Sequence, residues 1–293
     1  MGPRTLSMVL LSAVLHAGWN VVAKRHPRPT AFLFLLTAVT AVPALVLAPF
    51  YPAHLFTGEL GEMLVASCLF HGFSFVVLAR AYEVGDLSLV YPIARSTPAI
   101  VPLLAVPLLG EHISPIGAVG IALSLIGMWL VQTGGVLRWT ALRAPAALWA
   151  YLMLLLTASF SLVDKRGMDL LTHAPWSSPL PRAMAFYLLQ TAGAALVAAP
   201  YTLAREGLPR LRASLREHAP LIVTAACAMF ASYAIVLECL RTAQISYIVA
   251  VRQSSVLFAV AFAVWKLAER PNWMRMTGTL GTLVGIVLIA LYA

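Results

Sequence analysis

Two arginines stand where an apolar helix should carry none. Arg95 lies within VYPIARSTPAIVPLL and Arg252 within YIVAVRQSSVLFAV. A guanidinium at the centre of a membrane helix costs about 2.5–3.5 kcal/mol even on a lenient insertion scale. Each must therefore meet a partner or a wet cavity. One use is to grip an anionic group through forked hydrogen bonds. The other is to satisfy an internal carboxylate, or carbonyls freed where Pro92, Pro98 and Pro102 interrupt the helix.

A second polar group recurs near the start of the chain. His16, Asn20 and Lys24 follow one another at i, i+4, i+8 and form one stripe, with Trp19 beside it. His16 could carry a proton or touch a ligand, since its charge changes near neutrality, or simply hydrogen-bond a neighbouring helix. Lys24 can reach the membrane surface. His71 and Ser74 form an i, i+3 pair suited to lining a cavity or to packing. Tyr91 shares the Arg95 face four residues earlier, and Tyr233 and Tyr247 are aromatic candidates from later in the chain. Ser254 and Ser255, beside Arg252, either donate to ligand oxygens or tighten helix packing.

Acids are scarce. Asp164 and Glu238, placed near helix ends, could balance the arginines or titrate. Arg80/Glu83 and Glu238/Arg241 are spaced i, i+3 and read as local ion pairs. Glu111 and Glu269 close long apolar runs and suit capping or anchoring. Cys68, Cys227 and Cys239 lie in apolar runs without disulfide or zinc spacing and read as small core residues.

The elements that hold these groups are membrane helices. The 293 residues are 61% hydrophobic and 11% charged, with a mean hydropathy of +0.87. A soluble domain carries about 25% charged residues. The net charge of +9 does not imply nucleic acid, because Lys and Arg fall mainly between apolar runs, against lipid headgroups. Pro, Gly and charge breaks divide the chain into about ten runs: 6–23, 31–50, 61–80, 87–108, 115–134, 147–165, 183–203, 219–240, 245–266 and 273–292. The first run continues past Asn20 without a cleavage site and is kept as a helix. About 13 Lys and Arg follow the odd-numbered runs, against about five on the opposite side. That bias puts the odd-helix exits inside and both termini outside.

The halves repeat. An offset of 158 brings Ser88 onto Ser246, Ser96 onto Ser254, Glu111 onto Glu269, Gly120 onto Gly278 and Gly127 onto Gly285. The same offset puts Arg95 on Gln253 and Ala94 on Arg252, and AGWNVVAK in the first run matches ASFSLVDK in the sixth. Five spans per half force the second half into the bilayer upside down. The expected fold is therefore an all-α integral membrane protein of about ten transmembrane helices, built as two inverted five-helix repeats over 1–137 and 138–293. The prolines of the fourth helix predict a larger bend there than in the proline-free ninth. Gly281 and Gly285 form a GxxxG that is compatible with a homodimer.

With LHAGWNVVAK, YPIARSTPAIVPLLAVPLLGE and YIVAVRQSSVLFAVAFAVWKLAE, the chain resembles paired EamA modules of the drug/metabolite transporter superfamily over nearly its whole length. One departure is WKLAE, which sets Lys266 near the end of the ninth helix. The resemblance implies a permease of the inner or plasma membrane, and it favours export over uptake. The expected activity is secondary, ATP-independent transport of a small metabolite with an anionic group, such as an amino acid or organic acid. Alternating access would move it, with a proton or another ion as a candidate coupling partner. No P-loop, H-E-x-x-H or G-x-S-x-G motif points to a nucleotide, metal, other cofactor or enzyme. The alternatives are a carrier of a lipid-linked headgroup, which needs a lateral gap, and a non-transporting sensor, which should lack a polar chamber.

Overall fold

The computed structural model describes residues 1–84, 92–136, 145–258, 261 and 272–292. The described secondary structure is helical throughout. In order, α1 is Pro3–Arg25, α2 Pro29–Val46, α3 Gly58–Val84, α4 Thr97–Leu109 after one turn at 92–94, α5 Pro115–Thr133 and α6 Pro145–His173. A continuous helical stretch, Arg182–Leu240, breaks backbone geometry at Gly207 (φ 72°) and His218 (φ −124°). Its parts are α7 (182–206), a connecting segment, and α8 (219–240). A short helix, α9, is Ile245–Val251 and resumes at 254–258, and α10 is Trp273–Tyr292. With α7 and α8 taken separately, the described residues supply ten α-helices and two short 3-10 helices, Ala48–Phe50 and Ala53–Phe56. Eight helical stretches among them, counting Pro92–Leu109 and Arg182–Leu240 as one each, are long and apolar enough to cross a bilayer.

Local chemistry sets the boundaries. Proline opens α1, α2, α5 and α6, where its missing N–H costs nothing. Ser114 caps α5 by accepting from the Gly117 N–H (3.0 Å). Gly110 and Gly134 end α4 and α5 in the left-handed region, at φ 67° and 62°. The largest boundary correction is α6, expected to stop at 165 but running on to His173. Its charges are neutralised on the spot: Lys165 pairs with Asp169 (2.6 Å) and Arg166 with Glu59 of α3 (2.7 Å). Asp164 therefore lies well inside a helix, not near its end.

Close contact between α5 and α10 fixes the relative direction of the repeats. A Cβ on Gly120 would stand 2.8 Å from the Gly285 carbonyl oxygen, and one on Gly127 would stand 2.5 Å from that of Gly278. As position rises by seven in α5 it falls by seven in α10, so the helices are antiparallel. The two contacts also exchange under the 158-residue offset, as an inverted repeat requires. The GxxxG face of α10 is thus occupied by α5 of the same chain.

Both α4 and α9 are interrupted at aligned positions, the proline-free helix included. In α4, Pro98 supplies no N–H, and the ladder tightens to three-residue bonds: Ser96 N–H donates to Ile93 (3.0 Å) and Ala99 N–H to Ser96 (2.9 Å). In α9, Gln253 N–H donates to Ala250 (3.1 Å) and Ser255 N–H to Arg252 (3.1 Å), without any proline. The Gln253 amide instead holds carbonyls that the break releases, those of Arg95 (3.1 Å) and Val249 (3.4 Å).

Apolar packing is unequal across the molecule's thickness. One cluster spans both halves toward the 47–57 and 174–181 connections, from Val9, Leu55 and Leu64 to Met168, Leu237 and Ile289. Toward the other end, packing among the described residues divides into groups around Trp19, Phe32 and Ile222, around Ile93, Ala150 and Leu154, and around Met128 and Val256. Cys68, Cys227 and Cys239 are free thiols, and Cys227 is exposed on the helix surface instead of in the core.

Candidate functional site

A cavity of about 180 Å³ lies where the two halves meet. From the first half come His16, Trp19 and Asn20 of α1, His71, Ser74, Phe75 and Leu78 of α3, and Ala94, Arg95 and Thr97 at the α4 break. The second half answers with Met153, Thr157, Phe160 and Ser161 of α6, Tyr187 of α7 and Met229, Ser232 and Tyr233 of α8. Val249, Arg252 and Gln253 of α9 complete it.

Interrupting α4 and α9 is what lets each arginine leave a helical ladder at this depth. Arg95 donates through Nη1 to Ser255 Oγ (2.5 Å). Arg252 lies over the Tyr233 ring, 5.5 Å from its centroid, with Nη2 3.4 Å from His16 Nδ1. Its Nε is buried and has no partner among the described residues. Among the described residues the lining includes both guanidiniums and no Asp or Glu. His16 is braced by Asn20, whose Nδ2 is 3.1 Å from His16 Nε2 and donates to the His16 carbonyl (3.1 Å). Trp19 stands edge-on to His16 at 5.2 Å, and its buried Nε1–H has no partner among the described residues. The cavity therefore offers cationic forks, spare donors and flat aromatic walls.

Of the residues singled out in the sequence, His16, Trp19, Asn20, His71, Ser74, Arg95, Tyr233 and Arg252 line this cavity together. Tyr247 lies elsewhere: its hydroxyl accepts from the Ser114 N–H (3.0 Å) at the start of α5. Ser254 is buried behind the α9 break and is not on the wall. Tyr91 lies outside the described residues, as do Glu269, Lys266 and the side chains of Lys24 and Glu83. Asp164 reaches neither arginine. It accepts from Ser67, from His71 Nε2 (3.1 Å) and from the Tyr233 hydroxyl (2.5 Å). Glu238 and Arg241 do form the expected local pair (2.6 Å), and Glu111 caps α9 by accepting from Ile245 N–H (2.5 Å) and Ser246 N–H (3.2 Å).

Reasoning from sequence missed Thr157, Phe160 and Ser161, yet the signal was present. The match of AGWNVVAK with ASFSLVDK carries His16, Trp19 and Asn20 onto these three positions. The offset of 158 likewise carries Ser74 onto Ser232 and Phe75 onto Tyr233. The cavity is thus built from equivalent positions of both repeats. Tyr187 had no such signal, because α7 contributes it through stacking on Phe230 (5.0 Å) and contact with Tyr233 (5.2 Å).

Comparison with known proteins agrees with this architecture. The model of the EamA-like transporter family matches the chain twice, over residues 3–133 and 144–291. One solved crystal structure of a protein superposes with a TM-score of 0.74 at 14% identity, covering 100% of this chain and 98% of that one. At that identity the likeness concerns the fold. No curated protein matches the chain.

Proposed function

The chain belongs to the EamA-like transporter family, and from that premise we propose that it carries a small anion-bearing metabolite, such as an amino acid or organic acid, across the cell membrane. One observation carries this reading: Arg95 and Arg252, from equivalent broken helices, line one cavity together with aromatic walls and buried hydrogen-bond donors. The substrate's anionic group sits between the guanidiniums, and its body lies against Trp19, Phe160 and Tyr233. The cavity's size suits a metabolite better than a drug-sized ligand, whose sites run to about 300–1,000 Å³. A polar chamber of this kind is what a purely non-transporting sensor would lack.

Alternating access follows from the inverted repeat. The continuous core on one side is the closed gate, and the divided packing on the other is the side that separates. Transport runs on solute or ion gradients, in the export direction, from the inner or plasma membrane.

The test is flux of labelled amino acids and organic acids in liposomes containing the purified protein, without ATP. Wild type moves at least one of them. Arg95→Ala and Arg252→Ala each raise its KM by about tenfold or more, the value of a charged hydrogen bond. Arg252→Lys does not restore it, because an ammonium cannot reproduce the fork. Undiminished flux in a folded Arg95→Ala/Arg252→Ala double variant would sink the proposal.

A further inference from the structure

Asp164 is fully buried in the middle of a membrane helix. Ionisable groups at such depth are costly and mark ion or proton routes. Its donors come from three other helices: Ser67 and His71 of α3, Gln190 of α7 (3.3 Å to each oxygen) and Tyr233 of α8. Among the described residues, His71 is the only basic side chain bonded to it. Lys165, next in sequence, turns to Asp169 and to the Leu240 carbonyl (2.9 Å). From α9, Arg252 meets Tyr233 and not the carboxylate, and from α4 Arg95 meets Ser255. Tyr187 of α7 packs on Tyr233.

Two further observations suit this carboxyl to a change of protonation. His71 and Tyr233 line the cavity whereas Asp164 does not, so both bridge the cavity and the acid. Gln190 Nε2 lies 3.3 Å from each carboxyl oxygen, and its Oε1 is buried with no hydrogen-bond partner among the described residues. A turn of that amide would present this spare acceptor to a protonated Asp164.

We propose that Asp164 and His71 form a proton-binding site filled from the central cavity, and, resting on the transport reading, that this proton is the coupling ion. In the empty state Asp164 is ionised, and neutral His71 donates its Nε2–H to Oδ2. A proton from cavity water adds to His71 Nδ1. The Nε2–H bond then breaks as an O–H bond forms on Asp164, leaving a neutral imidazole and a neutral carboxyl. One proton is taken up, the site loses its charge, and the Gln190 amide turns to accept from the new hydroxyl. Release on the other side reverses each step. Tyr233, shared by Asp164 and Arg252, links proton occupancy to the substrate's anion.

Infrared spectroscopy of the purified full-length protein tests the site without any substrate. On acidification a protonated-carboxyl band should appear, move on carbonyl-13C aspartate labelling of the wild type, and be lost in Asp164→Asn while Asp164→Glu retains one. Absence of a label-sensitive titrating band in folded wild type, or its persistence in Asp164→Asn, overturns the proposal. In liposomes with an amino-acid mixture as the probe, Asp164→Asn should keep exchange and lose the response to an imposed proton gradient. An unchanged response overturns the coupling role. Failure of wild type to move any solute would sink the transport reading, while the infrared result still decides the proton site.

Discussion

Gln253 and Arg95 are equivalent positions of the two repeats, and they are bonded to each other: Gln253 Nε2 donates to the Arg95 carbonyl over 3.1 Å. Each stands where its helix is interrupted, so the bond ties the two breaks across the repeat boundary. The same amide also reaches the Val249 carbonyl (3.4 Å).

Gln253→Leu removes both bonds and leaves carbonyls without this donor. A buried polar group stripped of its partner costs about 1–3 kcal/mol. Thermal unfolding in detergent should fall accordingly, and transport should slow even though Arg95 and Arg252 remain. Wild-type stability in Gln253→Leu would show that the breaks are held by other means.

Glu111 reaches from the end of α4 to the start of α9, where it takes two backbone N–H groups and the Ser246 hydroxyl (2.5 Å). A helix as short as Ile245–Val251 depends on such a cap. Glu111→Ala should lower stability by about 2 kcal/mol, at the upper end for caps, with Glu111→Gln intermediate. The readout is the unfolding midpoint of each variant.

Gly127→Ala would push a methyl group to within 2.5 Å of the Gly278 carbonyl oxygen, and Gly285→Ala would do the same to that of Gly120. Backbone cannot yield as a side chain does, so each should cost about 1–3 kcal/mol. Gly18, with nothing among the described residues within 4 Å of an added Cβ, is the control. Gly18→Ala should be neutral or gain up to about 1 kcal/mol from helix propensity. Equal melting of Gly18→Ala and Gly127→Ala would contradict the close contact.

His26 joins α1 to α2, stacked on Phe32 (4.7 Å) and edge-on to His218 (5.1 Å). Burial chiefly holds its imidazole below the usual histidine range, with His218 and Arg28 adding to the effect and the bond to the Arg28 carbonyl opposing it. Protonation therefore favours the unfolded chain. The stabilisation is complete above the unfolded value of about 6.5 and is lost as pH falls through the lower folded value. Unfolding temperature measured against pH should drop on that acidic limb, and His26→Gln should flatten it. A parallel curve for the variant would assign the limb to other groups.

Much of this was legible in advance, for identifiable reasons. Apolar runs broken by proline and glycine give the helices, because a bilayer leaves the backbone few other ways to satisfy its hydrogen bonds. Arg95, Arg252 and His16 announced the cavity because charge and imidazole are expensive in lipid. Thr157 and Ser161 gave no such alarm: small hydroxyls are common in membrane helices, and only repeat equivalence marks them. Tyr247 misled because a tyrosine that anchors a helix start has the same composition as one facing a ligand. The extension of α6 was hidden because its stopping charges, Lys165 and Arg166, are cancelled by Asp169 and by Glu59 from a distant segment.

The paired glycine contacts have a mechanical consequence. Two points of backbone touch, each the image of the other, allow α5 and α10 to roll slightly but not to slide, since sliding would drive carbonyl oxygens into neighbouring chain. Under the proposed alternating access, that seam is the fulcrum about which the remaining helices swing.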